Sequence, residues 1–127
     1  MESEDRFAIA DVTSRYGLLI DSRRLDEWAE LWEPAASIVV PGWQPIETPE
    51  RRQKMATGSP RGVHVVAAPI VEPGPEPETA TSEQSFVFHN LDTGEIMAGW
   101  YQDQLVKRAG QWRFACRVIH YFDAQPA

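Results

Sequence analysis

Few side chains in this sequence can move a proton near neutral pH, and they lie far apart along it. Histidines stand at 64, 89 and 120, and one acid, Asp21, ends the apolar run Leu18-Leu19-Ile20. Imidazole titrates close to neutrality, so each histidine is a potential acid or base. A carboxylate beside apolar residues has two readings. It caps a helix by accepting free N–H groups, or it sits in a pocket where it orients a base. Residue type alone leaves both open. Tyr16 and Tyr101 add phenolic groups and Arg117 a cation.

Other chemistries lack their residues. The histidines and the single cysteine, Cys116, show no zinc-ligand spacing, and no Gly-x-Gly-x-x-Gly, Walker or Gly-x-Ser-x-Gly motif is present. No metal and no organic cofactor is expected. A net charge of -7 with scattered Lys and Arg argues against nucleic acid. No apolar run reaches the length of a membrane span, and the start does not read as a signal peptide, so no membrane partner is expected. One cysteine excludes an intramolecular disulfide, and a reducing, cytoplasmic location is the expectation. Cys116 itself reads as a small buried hydrophobe in mid-strand.

These residues must be positioned by a domain of 127 residues, enough for one core and too few for two. A single domain over 1–127 is therefore expected. Ile9, Val12, Tyr16 and Leu19 recur at helical spacing, which predicts a helix over about 4–20 with one buried face. Leu25, Trp28, Ala29 and Trp32 predict a second helix, capped by Asp21 or Ser22 and closed by Pro34. A short strand over 36–40 follows. Thr48-Pro49 marks the start of a polar helix to about Ala56.

Period-two patterning then takes over. Strands are expected over 63–71, 79–89, 95–107 and 111–122, separated by a proline-rich turn and two tight loops. Alternation places Met97, Gly99, Tyr101, Asp103 and Leu105 on one face of the third. In the last strand it groups Arg113, Ala115, Arg117, Ile119 and Tyr121. Helices followed by an antiparallel meander make an α+β domain, helices packed on a curved sheet. Five tryptophans point to an aromatic core or an aromatic-lined cavity.

This order resembles the cone-shaped α+β barrel of the nuclear-transport-factor-two-like superfamily, in particular its SnoaL-like branch. The resemblance is carried by the helix over 5–16, Leu19-Ile20-Asp21, Leu25-Asp-Glu-Trp28-Ala-Glu-Leu-Trp32, Gly62-Val-His64-Val, and the closing stretch from Tyr101 through Trp112 to Arg117. It spans nearly the whole chain. Such a fold hosts many functions, so function must be argued from the site.

Within the superfamily, the pattern is similar to that of scytalone dehydratase and related dehydratases. There an acid after the first helix faces a histidine opening the meander, and Asp21 and His64 match these positions. A second pocket histidine follows by twenty-five residues, the interval from His64 to His89. Other positions depart: Ile20 stands where that enzyme has one tyrosine, a second tyrosine of that enzyme falls near Val40, and Gly99 and Tyr101 stand where it has serine and asparagine.

The resemblance thus implies an acid–base pair of Asp21 and His64 with different substrate-binding groups. Tyr16, Trp43, His89, Tyr101 and Arg117 are the candidates for those. Arg117 is alternatively an ion-pair partner for Asp21 or a helix acid, and Trp43 a wall or lid.

The implied activity is a cofactor-independent lyase or isomerase of the dehydratase or cyclase type. Its substrate would be small, apolar and oxygenated, such as a polyketide, steroid or terpenoid. The alternative is a ligand-binding or assembly module without chemistry, in which Asp21 accepts the N–H groups of Arg23 or Arg24 and points away from His64. An oxygenase beta-type subunit is a third, less suited to the short chain. A homodimer is implied, through an outer sheet face expected to carry Trp100, Phe86 and Phe88.

Overall fold

The computed structural model describes residues 1–122, so the last residues of the domain expected over 1–127 lie outside the described residues. Helix α1 (Ser3–Asp21) buries Ile9, Val12, Tyr16, Leu19 and Ile20, the face anticipated from the helical spacing. After a three-residue connection comes α2 (Leu25–Ala29), a single short helix that buries Trp28. Neither Asp21 nor Ser22 caps it. Arg24 occupies the N-cap position without a capping side-chain hydrogen bond, and the Ser22 hydroxyl donates back to the Leu18 carbonyl.

Strand β1 (Trp32–Val39) begins at Trp32, four residues earlier than expected, and runs through Pro34. The proline is tolerated because the β1–β6 register is broken between Trp32 and Ser37. The carbonyls this frees are met by the next helix, α3 (Pro49–Thr57), started by the Thr48 side chain and Pro49 as expected. Its Arg52 is buried and donates to the carbonyls of Ala36 at 2.7 Å and Glu33 at 3.1 Å. A helix that reads as polar and solvated is thereby bolted to the sheet.

The predicted strand over 63–71 is in fact two, β2 (Gly62–Val66) and β3 (Ile70–Pro73), both paired antiparallel with β4 (Thr79–Asn90). Pro69 lies in the break between them. Strands β5 (Ile96–Arg108) and β6 (Gln111–Tyr121) complete the meander. The order is β1-β6-β5-β4-β2, antiparallel except for the β1–β6 pair. The fold is therefore α+β with helices on a curved, mostly antiparallel sheet, as expected, but the sheet does not close into a barrel.

Two parity expectations need correction. A bulge at Ala115 shifts the β5–β6 register, pairing Gln104 with Cys116 but Leu105 with Phe114. Trp112 and Phe114 consequently face the core while Arg113 and Ala115 are only half-buried, so the last strand does not keep one face throughout. Phe86 and Phe88 are also buried on the helix side of β4, not on the outer face. Cys116 is half-buried rather than enclosed.

Candidate active site

Asp21 ends α1, and its carboxylate reaches across to the middle of β2. One oxygen, Oδ2, accepts the His64 backbone N–H at 2.6 Å, and the other, Oδ1, lies 2.7 Å from His64 Nδ1. An ionised carboxylate only accepts, so this contact places a proton on Nδ1, and in the neutral ring Nε2 then keeps its lone pair. Both side chains are largely but not completely covered, 12% and 13% exposed. The N–H groups of Arg23 and Arg24 donate instead to the carbonyls of Ile20 and Leu19. The arrangement of the non-catalytic alternative, with the two side chains apart, is not the one observed.

The close approach of β2 to α1 depends on Gly17, one helical turn before Asp21. A Cβ at this position would stand 2.4 Å from His64 Cβ and 2.7 Å from its Cγ. Removing one methyl lets the strand lie against the helix, and the carboxylate then meets the imidazole. Gly17 was not singled out from the sequence, although its place one turn from Asp21 is a readable signal.

His64 lines a cavity of about 250 Å³ between the sheet and the α3 side of the molecule. Tyr16 and Tyr101 lie in its wall with Phe86, Phe88, Met97 and Met55. Phe86 stacks on Tyr101, centroids 4.4 Å apart and planes 13° from parallel. Gly99, its register partner on β5, makes room for it: a Cβ there would come within 2.8 Å of the Phe86 ring. Burial pushes the Tyr16 phenol up to about 12, with the Arg117 charge pulling in the other direction. Burial likewise raises Tyr101 well above its ordinary value. Both are protonated donors at neutral pH.

Trp43 lines the cavity while remaining 60% exposed. It follows Val40-Pro-Gly in a turn where the Trp43 N–H donates to the Val40 carbonyl, and paired hydrogen bonds between Ile38 and Ile46 close the loop behind it. It stands at the rim.

Two candidates are placed elsewhere. His89 is exposed and does not line the cavity; alternation along β4 turns it away from Phe86 and Phe88. The twenty-five-residue interval therefore does not bring a second imidazole to His64. Arg117 lies behind the wall rather than in it. Its ion-pair partner is neither Asp21 nor a helix acid but Asp103 on the neighbouring strand. Nε and Nη2 engage the two carboxylate oxygens at 2.7 and 2.8 Å, and the Ser82 hydroxyl donates to Oδ2.

Above the guanidinium lie aromatic rings, with Cζ 3.7 Å from the Tyr101 centroid and 4.6 Å from that of Tyr16. Nη1 is buried with no hydrogen-bond partner among the described residues. The side chains that sequence reasoning missed are mostly apolar wall residues, Phe86, Phe88 and Met55, along with Asn90 and Glu95 at the hairpin end. Among the described residues no His, Cys, Asp and Glu cluster is arranged to hold a metal, and no helix is long and apolar enough to cross a membrane.

Comparison with known proteins agrees with this architecture. A protein of unknown function from Mycobacterium tuberculosis, Rv3472, is 26% identical. Its TM-score is 0.79, over 91% of this chain and 70% of its own. A candidate scytalone dehydratase from Novosphingobium aromaticivorans shares 19% identity over 97% of this chain and 89% of its own, with a TM-score of 0.80. The type-3 hexachlorocyclohexane dehydrochlorinase LinA from Novosphingobium barchaimii shares 17% over 98% and 90%, with a TM-score of 0.82. At the last two identities the likeness concerns the fold alone. No curated protein sequence matches. A family model described as a SnoaL-like domain matches residues 1–118, and the chain belongs to that family.

Proposed function

We propose that this protein is a cofactor-independent lyase or isomerase of the dehydratase or cyclase type, acting on a small, largely apolar, oxygenated molecule. The observation that carries the reading is the two-point hold of Asp21 on His64, which commits Nδ1 and the backbone N–H to the carboxylate beside an apolar cavity. Nε2 is then the nitrogen available to a substrate. It takes a proton from carbon next to a carbonyl, and the electron pair moves toward the carbonyl oxygen, where Tyr101 or Tyr16 donates a hydrogen bond. The electrons return to form the C=C bond as the C–O bond breaks, and the imidazolium gives its proton to the departing oxygen, releasing water. Returning the proton to another carbon gives isomerisation instead.

Asp21 orients the ring and balances the imidazolium charge. A structural neighbour named for dehydrochlorination and another for dehydration support elimination chemistry as the class.

The test is hydrogen exchange at the acidic carbon of small β-hydroxy ketones in deuterated water, followed by NMR at a series of pH values. His64→Ala and Asp21→Asn should each lower exchange and turnover by ~10²–10⁴-fold. Undiminished rates in both variants would sink the dyad.

The proposal extends to a cytoplasmic homodimer joined through the outer sheet face. There Trp100 stacks on His120 at 4.4 Å, and Val65 and Ile96 are exposed. Phe86 and Phe88, which line the cavity, take no part. Light scattering at micromolar concentration gives the answer, and a monomer contradicts it.

A further inference from the structure

The cavity has a second polar end. Asn90 and Glu95 face each other at the β4–β5 hairpin, where the Asn90 N–H donates to the Glu95 carbonyl at 2.9 Å, and both line the cavity with Ser59. They lie two residues beyond Phe88, the register partner of His64. At the usual rise this is roughly 7 Å along the sheet.

What these groups offer a ligand follows from what they already do. The Asn90 side-chain oxygen accepts the N–H groups of Asp92 and Thr93 at 2.9 and 3.1 Å. Its NH₂ is the part left to donate. The Ser59 hydroxyl donates to the Met55 carbonyl at 3.1 Å, which leaves its oxygen to accept. The Glu95 carboxylate, exposed at the mouth, accepts only, and among the described residues its side chain has no hydrogen-bond or ion-pair partner.

Among the described residues no cation pairs with this acid, and neither Lys nor Arg lines the cavity. The arginines around it are committed: Arg23 to the carbonyls of Ala56 and Ser59, Arg61 to Asp92 at 3.0 Å, Arg117 to Asp103. Asp21 stands behind His64, and Glu95 brings to the mouth a carboxylate that has no cationic partner among the described residues. The size of the space also limits the ligand. An apolar cavity of about 150 Å³ holds benzene, so one of about 250 Å³ takes a body of roughly ten non-hydrogen atoms.

We propose that the hairpin end, Asn90 with Glu95, is a specificity site for a hydrogen-bond-donating group, an uncharged hydroxyl above all, on a bicyclic-sized substrate, and that the cavity rejects carboxylates. A hydroxyl donates to Glu95 and accepts from Asn90, whereas a carboxylate can only accept and meets a like charge. The inference deepens the lyase reading by naming the substrate class, and it rests on that reading.

Its test is binding without turnover, so the two can fail separately. Naphthalene-2-methanol, 2-naphthoate and 2-naphthylmethylamine are titrated by calorimetry at neutral pH into the wild-type chain and Glu95→Gln. In the wild type the alcohol and the amine should both bind more tightly than the acid. Glu95→Gln should tighten the acid and weaken the amine, each by about fivefold, the scale of one exposed charge interaction, and leave the alcohol within about twofold.

Opposite-signed responses of acid and amine are the signature. A carboxylate that binds the wild type as well as the alcohol, changes of one sign for all three, or no binding by any of them would overturn the proposal. Binding as expected in a chain that shows no proton exchange would instead count against the lyase reading alone.

Discussion

Asp21 holds His64 and Asp103 holds Arg117, each with a contact of 2.7 Å, yet the two pairs are built for different ends. Asp103 and Arg117 are sealed, with no side-chain exposure, and the fork of the guanidinium fits both carboxylate oxygens. Arginine stays charged at any accessible pH, and the rings of Tyr16, Tyr101 and Phe114 cover it. Asp21 and His64 keep a small exposed fraction on the cavity side. The carboxylate takes only one of the two imidazole nitrogens. A permanent charge pair, closed on all sides, braces the wall; the other pair, open on one side, leaves one imidazole nitrogen off the carboxylate, the nitrogen that the proposed chemistry uses.

The comparison can be broken most severely at the sealed pair. Arg117→Met should cost about 3–5 kcal/mol in chemical denaturation, because the Asp103 charge is left buried and unpaired. Adding Asp103→Leu to it should recover much of that loss, since desolvation of two ions is then avoided. A single variant as stable as the wild type would remove the distinction. By contrast, His64→Ala and Asp21→Asn should lose activity on the scale given above while shifting stability far less.

Gly17→Ala sharpens the open pair. Intrinsic helix propensity favours alanine by about 1 kcal/mol. The added methyl, however, meets His64 Cβ and Cγ, which are not the free end of a flexible side chain. The expected result is a net loss of about 1–3 kcal/mol and a fall in turnover as large as that of Asp21→Asn. A stabilised, fully active variant would show that β2 can retreat without losing the contact.

The smallest effect is at high pH. The Tyr16 phenol ionises near 10 in the unfolded chain and at about 12 in the fold, so the folded state holds the proton more tightly. This contribution is fully present below pH ~10 and is lost as pH rises toward about 12. Tyr101, also raised by burial, acts in the same direction. Tyr16→Phe should therefore flatten the fall in denaturation midpoint over that window by up to about one proton's slope, ~1.4 kcal/mol per pH unit. An unchanged slope would mean that the phenol is better solvated than its burial implies.

Local patterning went far with the elements. The helical spacing of Ile9, Val12, Tyr16 and Leu19 and the Thr48-Pro49 start are short-range signals, and both appear in the structure as read. The face of β5 carrying Met97, Tyr101 and Asp103 was also legible, because that strand's own pleat runs unbroken through them. The break near Pro69 was not, since β2 and β3 both pair with β4 and together read as one apolar run.

Other features depended on partners far away in the chain. Whether Phe86 and Phe88 face in or out is decided by which side of the sheet α1 and α3 cover. The bulge at Ala115 reset the parity of β6, and Arg117 found its acid one strand away.

For Asp21 the residue type allowed a cap or a pocket group. Its position after α1 and the family pattern pointed to His64. Only the packing of β2 against Gly17 set the contact at hydrogen-bond distance. Spacing along a chain encodes helices and pleats because those are short-range periodicities. A cavity is made by side chains whose neighbours are chosen by strand register and by which layer lies across the sheet. That choice belongs to the tertiary structure.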